Sequence, residues 1–543
     1  MSYIIHDKNL IDVLCGEVRE LVKSETSALE EYYAHLPSDE DHDEKGKIVF
    51  NPKFEHPLDD GILKEDGPLK GFLVGNEEMI SYSKANELDQ LWSTLLRKAI
   101  LCLRYFDDRE PFLRQQSRSI TAYGLDKLEK YQHRYTDFES LMYGASAYYR
   151  DHVFHAFRVW MLGVFCLLKD FGSCRHERLI DKLKLDGGAE LPGEINFFER
   201  ISIWTIAALC HDLGYPLEKS EQILEKTRTM MREFVPNPHI WNNFSYQGVQ
   251  DNINEYILKF ISTKMKRKAD GKEREGLTGE AVEKKEEFCS KAGKEKNGPS
   301  YEGRIQPKYY LKYAKSLENF QHGIISAIII YKMLLYFLES DFNLNDDYTY
   351  EQENARQFYI RREILRAIAS HTCSDAYNMH LTTFSSLLFL CDELQEWGRK
   401  TWNELYTGLN ESSISLEIAC FTANRVDVTE SINMKDVQNM DLVVENICRA
   451  FEKQYSLYKT TFRDGQYTSL RDFDLVKTMN YELPEVAAQK QKIVVQYTLL
   501  KSTGGCFKVD LTSVVGEDEQ NNCRGAIQKQ LQGKMYGEDL EIT

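Results

Sequence analysis

The chain has 543 residues, of which 42% are apolar and 12% aromatic, so it can bury the cores of several domains and is not a disordered chain. Its formal net charge of -17 argues against general binding to nucleic acid or to an anionic membrane, because both require a basic face. A polyanionic substrate would therefore need a local cationic site.

Cysteine usage and the N-terminus predict a cytoplasmic protein. The 12 cysteines occur singly, without a CxxC pair, which is typical of a reducing compartment. The first residues, MSYIIHDKNL, lack the basic region and apolar core of a secretion signal. The strongest apolar run begins at Gly323, is interrupted by Lys332 and is too short to predict a membrane span.

Helix-spaced apolar residues dominate the first three quarters of the chain. Residues 1–140 predict a helical N-terminal region, with a long early loop at 37–75 where proline and glycine are frequent. Residues 141–405 predict an all-α unit, because their apolar stripes are long and helix-spaced. Within this unit, residues 264–300 are dense in charge and poor in apolar side chains, which predicts a solvated insertion.

The pattern changes after Asn410 and predicts a different kind of domain. In SISLEIACFTANRVDV, Ile414, Leu416 and Ile418 alternate with other residues as they would in a strand. A helical pattern, DLVVENICRAFEKQYSLY, and a second strand-like run, KIVVQYTLLK, follow. We therefore predict a mainly α protein with a small α+β domain over residues 411–543.

The stretch LCHDLGYPLE, residues 209–218, places His211 and Asp212 at the end of an apolar helical run. Gly214 and Pro216 indicate that the helix stops there, so both side chains can face a cavity. Taken alone, an HD dipeptide is weak evidence for a site, because the same residues could simply end a helix.

Other residues of the same chemical type lie on or at the ends of apolar helices: His155, His322, His371 and Asp392. Each could be a hydrogen-bonded core residue, but burying all of them without a common partner would be costly. A shared metal centre removes that cost. Imidazole and carboxylate ligands suit Mn, Fe, Co, Ni or Zn, and the absence of paired cysteines argues against a structural zinc site.

The order His155, His211-Asp212, His371 and Asp392 resembles the H…HD…D pattern of the HD superfamily of metal-dependent phosphohydrolases. HAFRV, HDLGYP and CDELQEWGR resemble the first-histidine, namesake and last-aspartate segments of that superfamily, and the resemblance covers about residues 141–405. It implies an HD-type helical bundle, a divalent metal among Mn, Fe, Co, Ni, Zn and Mg, and phosphate hydrolysis without a covalent intermediate. His211 and Asp212 would be the catalytic pair.

The additional histidines His322 and His371 resemble the branches of the superfamily that hold two metal ions. That likeness implies a first ion held by His155, His211, Asp212 and Asp392. It implies a second ion held or bridged by Asp212, His322 and His371. The role of His152, three residues before His155, stays open between a first ligand, a partner of a ligand and a phosphate contact.

A set of residues near these motifs forms the candidate substrate-binding group: His152, Arg158, Tyr215, Lys219 and Arg399. The cations would supply the local positive charge that the acidic chain otherwise lacks, and Tyr215 could stack on a nucleotide. Arg158 is favoured because it follows His155 by three residues on one helix. Each cation could instead be a solvated surface side chain.

The subfamily resemblances differ in what they imply about the substrate. HDLGYPLEKSE partly resembles the corresponding turn of deoxynucleoside triphosphate triphosphohydrolases, but Tyr215 and Ser220 stand where those enzymes carry histidines. Thr372 stands where HD-GYP cyclic dinucleotide phosphodiesterases carry a second consecutive histidine. The combined pattern resembles HD proteins of bacterial conflict and defence systems.

The leading prediction is a dNTP triphosphohydrolase that uses a metal-activated water. A cyclic (di)nucleotide phosphodiesterase and a non-catalytic nucleotide-sensing HD protein are the alternatives. A homo-oligomer and a regulatory protein or nucleotide activator stay open as partners.

Overall fold

The structure is a computed structural model. It describes residues 2–35, 55–73, 78–107, 124–145, 150–172, 178–185, 194–233, 235, 249–268, 299–339, 342–343, 348–376, 378, 380–399, 414–434, 440–461, 472–486, 489–500, 504–510, 517–531 and 540–542. The predicted loop at 37–75 and the predicted insertion at 264–300 are described only in part. Residues 37–54, 74–75 and 269–298 of these two segments lie outside the described residues.

The α-helices of the described ranges are, in chain order, α1 (Asp7–Val13), α2 (Arg19–His35), α3 (Asp60–Leu63), α4 (Ala85–Tyr105), α5 (Leu125–Ala145), α6 (Val153–Leu168), α7 (Leu179–Lys182), α8 (Phe197–Cys210), α9 (Tyr215–Arg232), α10 (Val249–Ser262), α11 (Pro307–Glu318), α12 (His322–Met333), α13 (Leu335–Leu338), α14 (Gln352–Ser370), α15 (Phe384–Leu394), α16 (Met440–Thr461) and α17 (Glu517–Leu531). The strands are β1 (Tyr3–Ile5), β2 (Thr263–Arg267), β3 (Tyr301–Ile305), β4 (Ile414–Phe421), β5 (Arg425–Asn433), β6 (Asp474–Val486), β7 (Gln489–Leu500), β8 (Gly504–Asp510) and β9 (Leu540–Ile542).

The helical part is built around α6, in which every residue is buried. Helix α6 packs against α8 and α15, and α14 packs against α8, α12 and α15. The N-terminus of α8 is fixed by a capping box, in which Asn196 and Glu199 satisfy each other's backbone N–H groups. The helices that carry the candidate ligands therefore contact one another, and the prediction of a mainly α protein is confirmed.

The C-terminal residues form the predicted α+β domain. The larger sheet has the order β1-β4-β5-β6-β7-β8-β9. Strands β5 and β6 are parallel, because helix α16 lies between them in the chain and returns it to the same end of the sheet. Phe451 of α16 packs on Tyr497 of β7, with ring centroids 5.5 Å apart, so the helix covers one face of the sheet.

The first strand of this sheet comes from the other end of the chain. Strand β1 pairs antiparallel with β4, so that Tyr3 lies opposite Ile418 and Ile5 opposite Leu416. A three-residue strand is too short to show an alternating pattern, and the sequence therefore did not predict it. The N-terminal region and the α+β domain share this sheet.

A buried ion pair ties α1 to α6. The Arg158 guanidinium donates to the Asp7 carboxylate through Nε and Nη2, each at 3.0 Å. Trp397 Nε1 and the backbone N–H of Ile80 also donate to Asp7, at 3.0 and 2.8 Å. The side chains of Arg158 and Asp7 are 1% and 0% exposed, so the whole arrangement is removed from water.

Strands β2 and β3 flank the charged insertion. They pair antiparallel, with Thr263 opposite Ile305 and Arg267 opposite Tyr301. The two ends of the predicted insertion therefore lie side by side, and residues 269–298 lie outside the described residues.

Among the helices of the described ranges, none has the length and apolar character needed to cross a membrane.

Candidate metal centre

His211 and Asp212 lie in a tight turn between two helices. Helix α8 ends at Cys210, and α9 begins at Tyr215 with Pro216 in its first turn. The proline therefore starts the second helix as well as following the first, since its fixed φ suits the first turn of a helix. Both side chains are buried, His211 at 0% and Asp212 at 5% exposure.

The other candidate ligands lie at or near the ends of four further helices. His155 is in the first turn of α6, and His322 is the first residue of α12. His371 directly follows α14, and Asp392 is in the last turn of α15. Helix packing brings these ends together around the turn after α8.

The first group of side chains surrounds one oxygen of Asp212. Asp212 Oδ2 lies 3.4 Å from His211 Nε2 and 3.8 Å from His155 Nε2. Asp392 Oδ1 lies 2.8 Å from His155 Nε2 and 3.6 Å from His211 Nε2. Ligand atoms of His155, His211 and Asp392 all lie within 4.8 Å of one another, which is close enough for one ion to contact all of them.

The second group surrounds the other oxygen of Asp212. Asp212 Oδ1 lies 3.2 Å from His322 Nε2 and 3.7 Å from His371 Nε2. His211, Asp212 and His371 also offer ligand atoms within 4.8 Å of one another. The Asp212 carboxylate thus separates two sets of imidazoles, one set on each oxygen.

Hydrogen bonds at Nδ1 orient the four imidazoles. His211 Nδ1 lies 2.7 Å from Ala208 O, and His371 Nδ1 lies 2.6 Å from Ile368 O. A carbonyl oxygen can only accept, so the proton is on Nδ1 and the neutral ring keeps its lone pair on Nε2. His155 Nδ1 faces Gln395 Oε1 at 2.6 Å, and His322 Nδ1 faces Glu218 Oε2 at 2.7 Å.

The residues present fit a divalent metal ion. The Nε2 atoms of His211 and His371 are buried and have no hydrogen-bond partner in the described part of the chain. A buried nitrogen lone pair without a donor is costly, and a metal ion would satisfy it. Imidazole nitrogens and carboxylate oxygens are the donors that Mn, Fe, Co, Ni and Zn accept.

The carboxyl groups of the cluster are held in their ionised form. Burial by itself raises the pKa of Asp212, but His211, His322 and His371 outweigh burial and hold that pKa well below its usual value. Burial likewise opposes ionisation of Asp392, but the hydrogen bond with His155 and the nearby His211 imidazole hold the pKa of Asp392 well below its usual range. Both side chains are therefore available as anionic ligands near neutral pH.

His152 and Tyr215 lie beside the cluster and pack on each other. Their ring centroids are 3.7 Å apart and the ring planes differ by 28°. The Tyr215 ring also meets the His322 ring edge-on at 5.4 Å. Lys219 Nζ lies 4.9 Å from the Tyr215 ring centroid. Three of the candidate substrate-binding residues therefore form one group at the border of the cluster.

Arg399 lies near the same border. Its Nη2 donates to the Asp151 carbonyl at 3.2 Å, and its Nε is buried without a hydrogen-bond partner among the described residues. Burial lowers the pKa of Arg399, but the carboxylates of Glu396, Asp151, Asp392 and Asp212 together raise it. Arg399 is therefore within electrostatic reach of both carboxylates of the cluster.

Arg158 lies elsewhere, although the sequence favoured it as a substrate contact. Its donors are used by Asp7 and by the Gly398 carbonyl, which accepts from Nη1 at 3.2 Å. The three-residue spacing from His155 places Arg158 on a neighbouring part of the helix face, but its long side chain extends to the buried carboxylate of α1. The structure does not bring Arg158 to the cluster.

Two positioning residues were not predicted from the sequence. Glu218, six residues after Asp212 in the first turn of α9, accepts the hydrogen bond of His322 Nδ1. Glu139 of α5 accepts from the backbone N–H groups of His152 and Val153 and so satisfies the N-terminus of α6. Glu218 lies within the stretch that the sequence singled out, whereas no local pattern connects Glu139 with α6.

Gly214 is required by close packing rather than by backbone conformation. Its φ is -80°, but an added Cβ would lie 2.4 Å from His322 O and 2.9 Å from Ser326 N. We expect Gly214→Ala to push the start of α12 away, to destabilise the fold by about 1–3 kcal/mol and to weaken metal binding at His322. Thermal unfolding and metal content of the purified variant would measure both effects.

Gly172→Ala is the matched control, because nothing lies within 4 Å of a Cβ added there. A Gly214→Ala protein with the melting temperature and metal content of the control would contradict the packing argument.

Comparison of the chain with models of protein families, with curated proteins and with solved structures finds no match.

Proposed function

We propose that the chain is a metal-dependent phosphohydrolase that acts on nucleotides. One observation carries the proposal: four imidazoles direct Nε2 toward the two oxygens of Asp212, and Asp392 lies beside two of them. A core that needed only structural hydrogen bonds would not leave the buried Nε2 atoms of His211 and His371 without partners.

The ligand arrangement supports two ions rather than one. His155, His211, Asp392 and Asp212 Oδ2 would hold the first ion, and Asp212 Oδ1, His322 and His371 would hold the second. When bound, such ions lower the pKa of a coordinated water and neutralise phosphoryl oxygens. The donor set favours Mn, Fe, Co, Ni or Zn over Mg, because Mg prefers an all-oxygen shell.

The residues at the border of the cluster would bind the nucleotide. Arg399 has a buried Nε without a hydrogen-bond partner among the described residues and could donate to a phosphoryl oxygen. Arg150 lies near enough to lower the pKa of Tyr215, but both of its Nη atoms pair with the Glu396 carboxylate, so Arg399 is the cation on which the proposal rests. Lys219 and the stacked pair of His152 and Tyr215 would complete a site that suits an anionic, ring-containing substrate.

A deoxynucleoside triphosphate is our first choice of substrate, because several cations near a metal cluster suit a polyphosphate chain. Participation in bacterial antiphage defence is part of this proposal and is supported only by the sequence resemblance. A cyclic (di)nucleotide is the second choice, supported by the second group of imidazoles around Asp212 Oδ1. In both cases the attacking group would be water, with no covalent enzyme intermediate.

The test is product release from a panel of dNTPs, NTPs and cyclic mono- and dinucleotides, each with Mn, Co, Ni or Mg added. Release of triphosphate and nucleoside from dNTPs would support the first choice, and opening of a cyclic phosphodiester would support the second. Tight binding of one nucleotide without turnover under any metal would contradict catalysis and favour a nucleotide sensor.

A further inference from the structure

The hydrogen bonds behind the four imidazoles are not equivalent. His211 and His371 are backed by main-chain carbonyls, and His155 is backed by the neutral amide of Gln395. The amide orientation is fixed because Gln395 Nε2 donates to Trp397 O at 2.8 Å. His322 alone among these four is backed by a carboxylate, that of Glu218, at 2.7 Å.

Glu218 is held firmly in this position. The oxygen that faces His322 Nδ1 also accepts the backbone N–H of His322 at 2.9 Å. The other carboxylate oxygen lies 2.7 Å from Lys219 Nζ. Through Glu218 the first turn of α9 is thus joined to the first residue of α12, and the His322 ring is fixed with Nε2 toward Asp212.

The two groups around Asp212 differ in charge. The first group contains a carboxylate of its own, Asp392, 2.8 Å from His155 Nε2. The second group contains His322 and His371, and its only carboxylate is the Asp212 oxygen that it takes from the shared side chain. A divalent ion in the second group would therefore meet less negative charge than one in the first group.

A carboxylate behind an imidazole offsets this difference. A histidine that donates its Nδ1–H to a carboxylate is a more basic ligand at Nε2 than one that donates to an amide or carbonyl. Glu218 places this arrangement in the group that lacks its own acidic ligand. The negative charge of Glu218, on the far side of the His322 ring, also offsets part of the positive charge of an ion bound at Nε2.

We propose that Glu218 is a positioning residue that strengthens binding of the second metal ion, the one at His322 and His371, beyond what the less acidic second group would provide without it. This inference rests on the proposed metal centre. Glu218 acts through His322 and needs no contact with the metal or the substrate.

The test is Co²⁺ binding to the full-length chain after removal of metal with a chelator. Bound cobalt would be counted by elemental analysis and followed by the visible absorption of the ion during titration. We expect the wild-type chain to bind two Co²⁺ ions. In Glu218→Gln, which keeps the shape and removes the charge, we expect the first ion to bind as in wild type and the second to bind about 10–100-fold more weakly.

Glu225→Gln is the matched control, because Glu225 lies on the same helix with its side chain 52% exposed and pairs with Arg228. It should bind both ions with wild-type affinity. If Glu218→Gln does not fold, Glu218→Asp replaces it. Aspartate keeps the charge but is too short to hold the 2.7 Å contact with His322 Nδ1, so the second ion should bind more weakly than in wild type while the first binds as in wild type.

The outcomes separate this inference from the proposed function. Two ions of wild-type affinity in the folded Glu218 variant, or equal weakening of both ions, would overturn the role of Glu218. A wild-type chain that binds a single ion would also overturn it, while leaving metal-dependent hydrolysis intact. A wild-type chain that binds no cobalt would contradict the metal centre itself.

Discussion

Replacing Asp212 with asparagine is expected to abolish binding of metal at the proposed centre and to lower the proposed nucleotide hydrolysis at least about 10³-fold. Asp212 is the side chain that both imidazole groups share, with Oδ2 3.4 Å from His211 Nε2 and Oδ1 3.2 Å from His322 Nε2. Loss of a single stabilising hydrogen-bond donor in an active site costs about 10²–10³-fold, and this change removes a ligand from both proposed ions.

Metal content and metal-dependent thermal stability would measure the first part of this result. An ion that binds only the folded chain stabilises it by about 2.7 kcal/mol at 100 times its Kd. The wild-type protein should therefore melt at a higher temperature when Mn or Co is added, and the Asp212→Asn protein should not.

The matched control is Asp66→Asn, which changes an aspartate whose side chain is 85% exposed. It should keep the metal content, the metal-dependent melting temperature and the activity of wild type. Unchanged metal binding in Asp212→Asn, with the fold intact by circular dichroism, would refute the proposed centre.

Replacing Asp7 with alanine is expected to lower the free energy of unfolding by about 3–5 kcal/mol, because it leaves a buried guanidinium without its counterion. The Asp7 carboxylate accepts from Arg158, from Trp397 and from the Ile80 backbone. Removing it also leaves these donors unsatisfied, and the penalty for each buried donor adds to the loss. Urea unfolding would measure the change.

Asp12→Ala on the same helix is the control. The Asp12 side chain is 44% exposed and pairs with Lys70 at the surface, so its loss should cost at most about 1 kcal/mol. The double variant Asp7→Leu with Arg158→Met removes both charges and should recover the part of the loss that comes from the unpaired guanidinium, whereas the Trp397 and Ile80 donors stay without an acceptor. If Asp7→Ala lowers the free energy of unfolding no more than Asp12→Ala does, the Asp7–Arg158 pair contributes little to stability.

The helix that carries Asp7 is also connected to the α+β domain. Helix α1 directly follows β1, which pairs with β4 of the C-terminal sheet. Trp397, which donates to Asp7, lies just after α15, the helix that carries Asp392. The N-terminal segment therefore contacts both the helical bundle near the candidate centre and the sheet.

The fold class and the candidate ligands were accessible from the sequence for different reasons. Apolar residues at helical spacing predicted the bundle, and alternation in Ile414, Leu416 and Ile418 predicted the strand that the structure contains as β4. The ligand-type residues stood out because polar groups at the ends of apolar helices need a common partner. The predicted metal identity, substrate and activity stay predictions.

Contacts between residues distant in the chain could not be predicted from the sequence. The pairing of β1 with β4 joins residues separated by more than 400 positions, and three residues show no pattern of their own. The pairing of Arg158 with Asp7 was not accessible either, because helical spacing gives the face on which a residue lies but not the group that its long side chain reaches.

The sequence by itself determined which ligand-type side chains lie at or near the ends of apolar helices, since periodicity and the Gly214-Pro216 turn are local properties. Only the tertiary structure decided how these side chains divide between the two oxygens of Asp212, and which of the imidazoles has a carboxylate behind it. The physical reason is that ligand geometry depends on distances of 2.8–3.8 Å between atoms of four separate helices and one turn. These distances are set by helix packing, which no local pattern encodes.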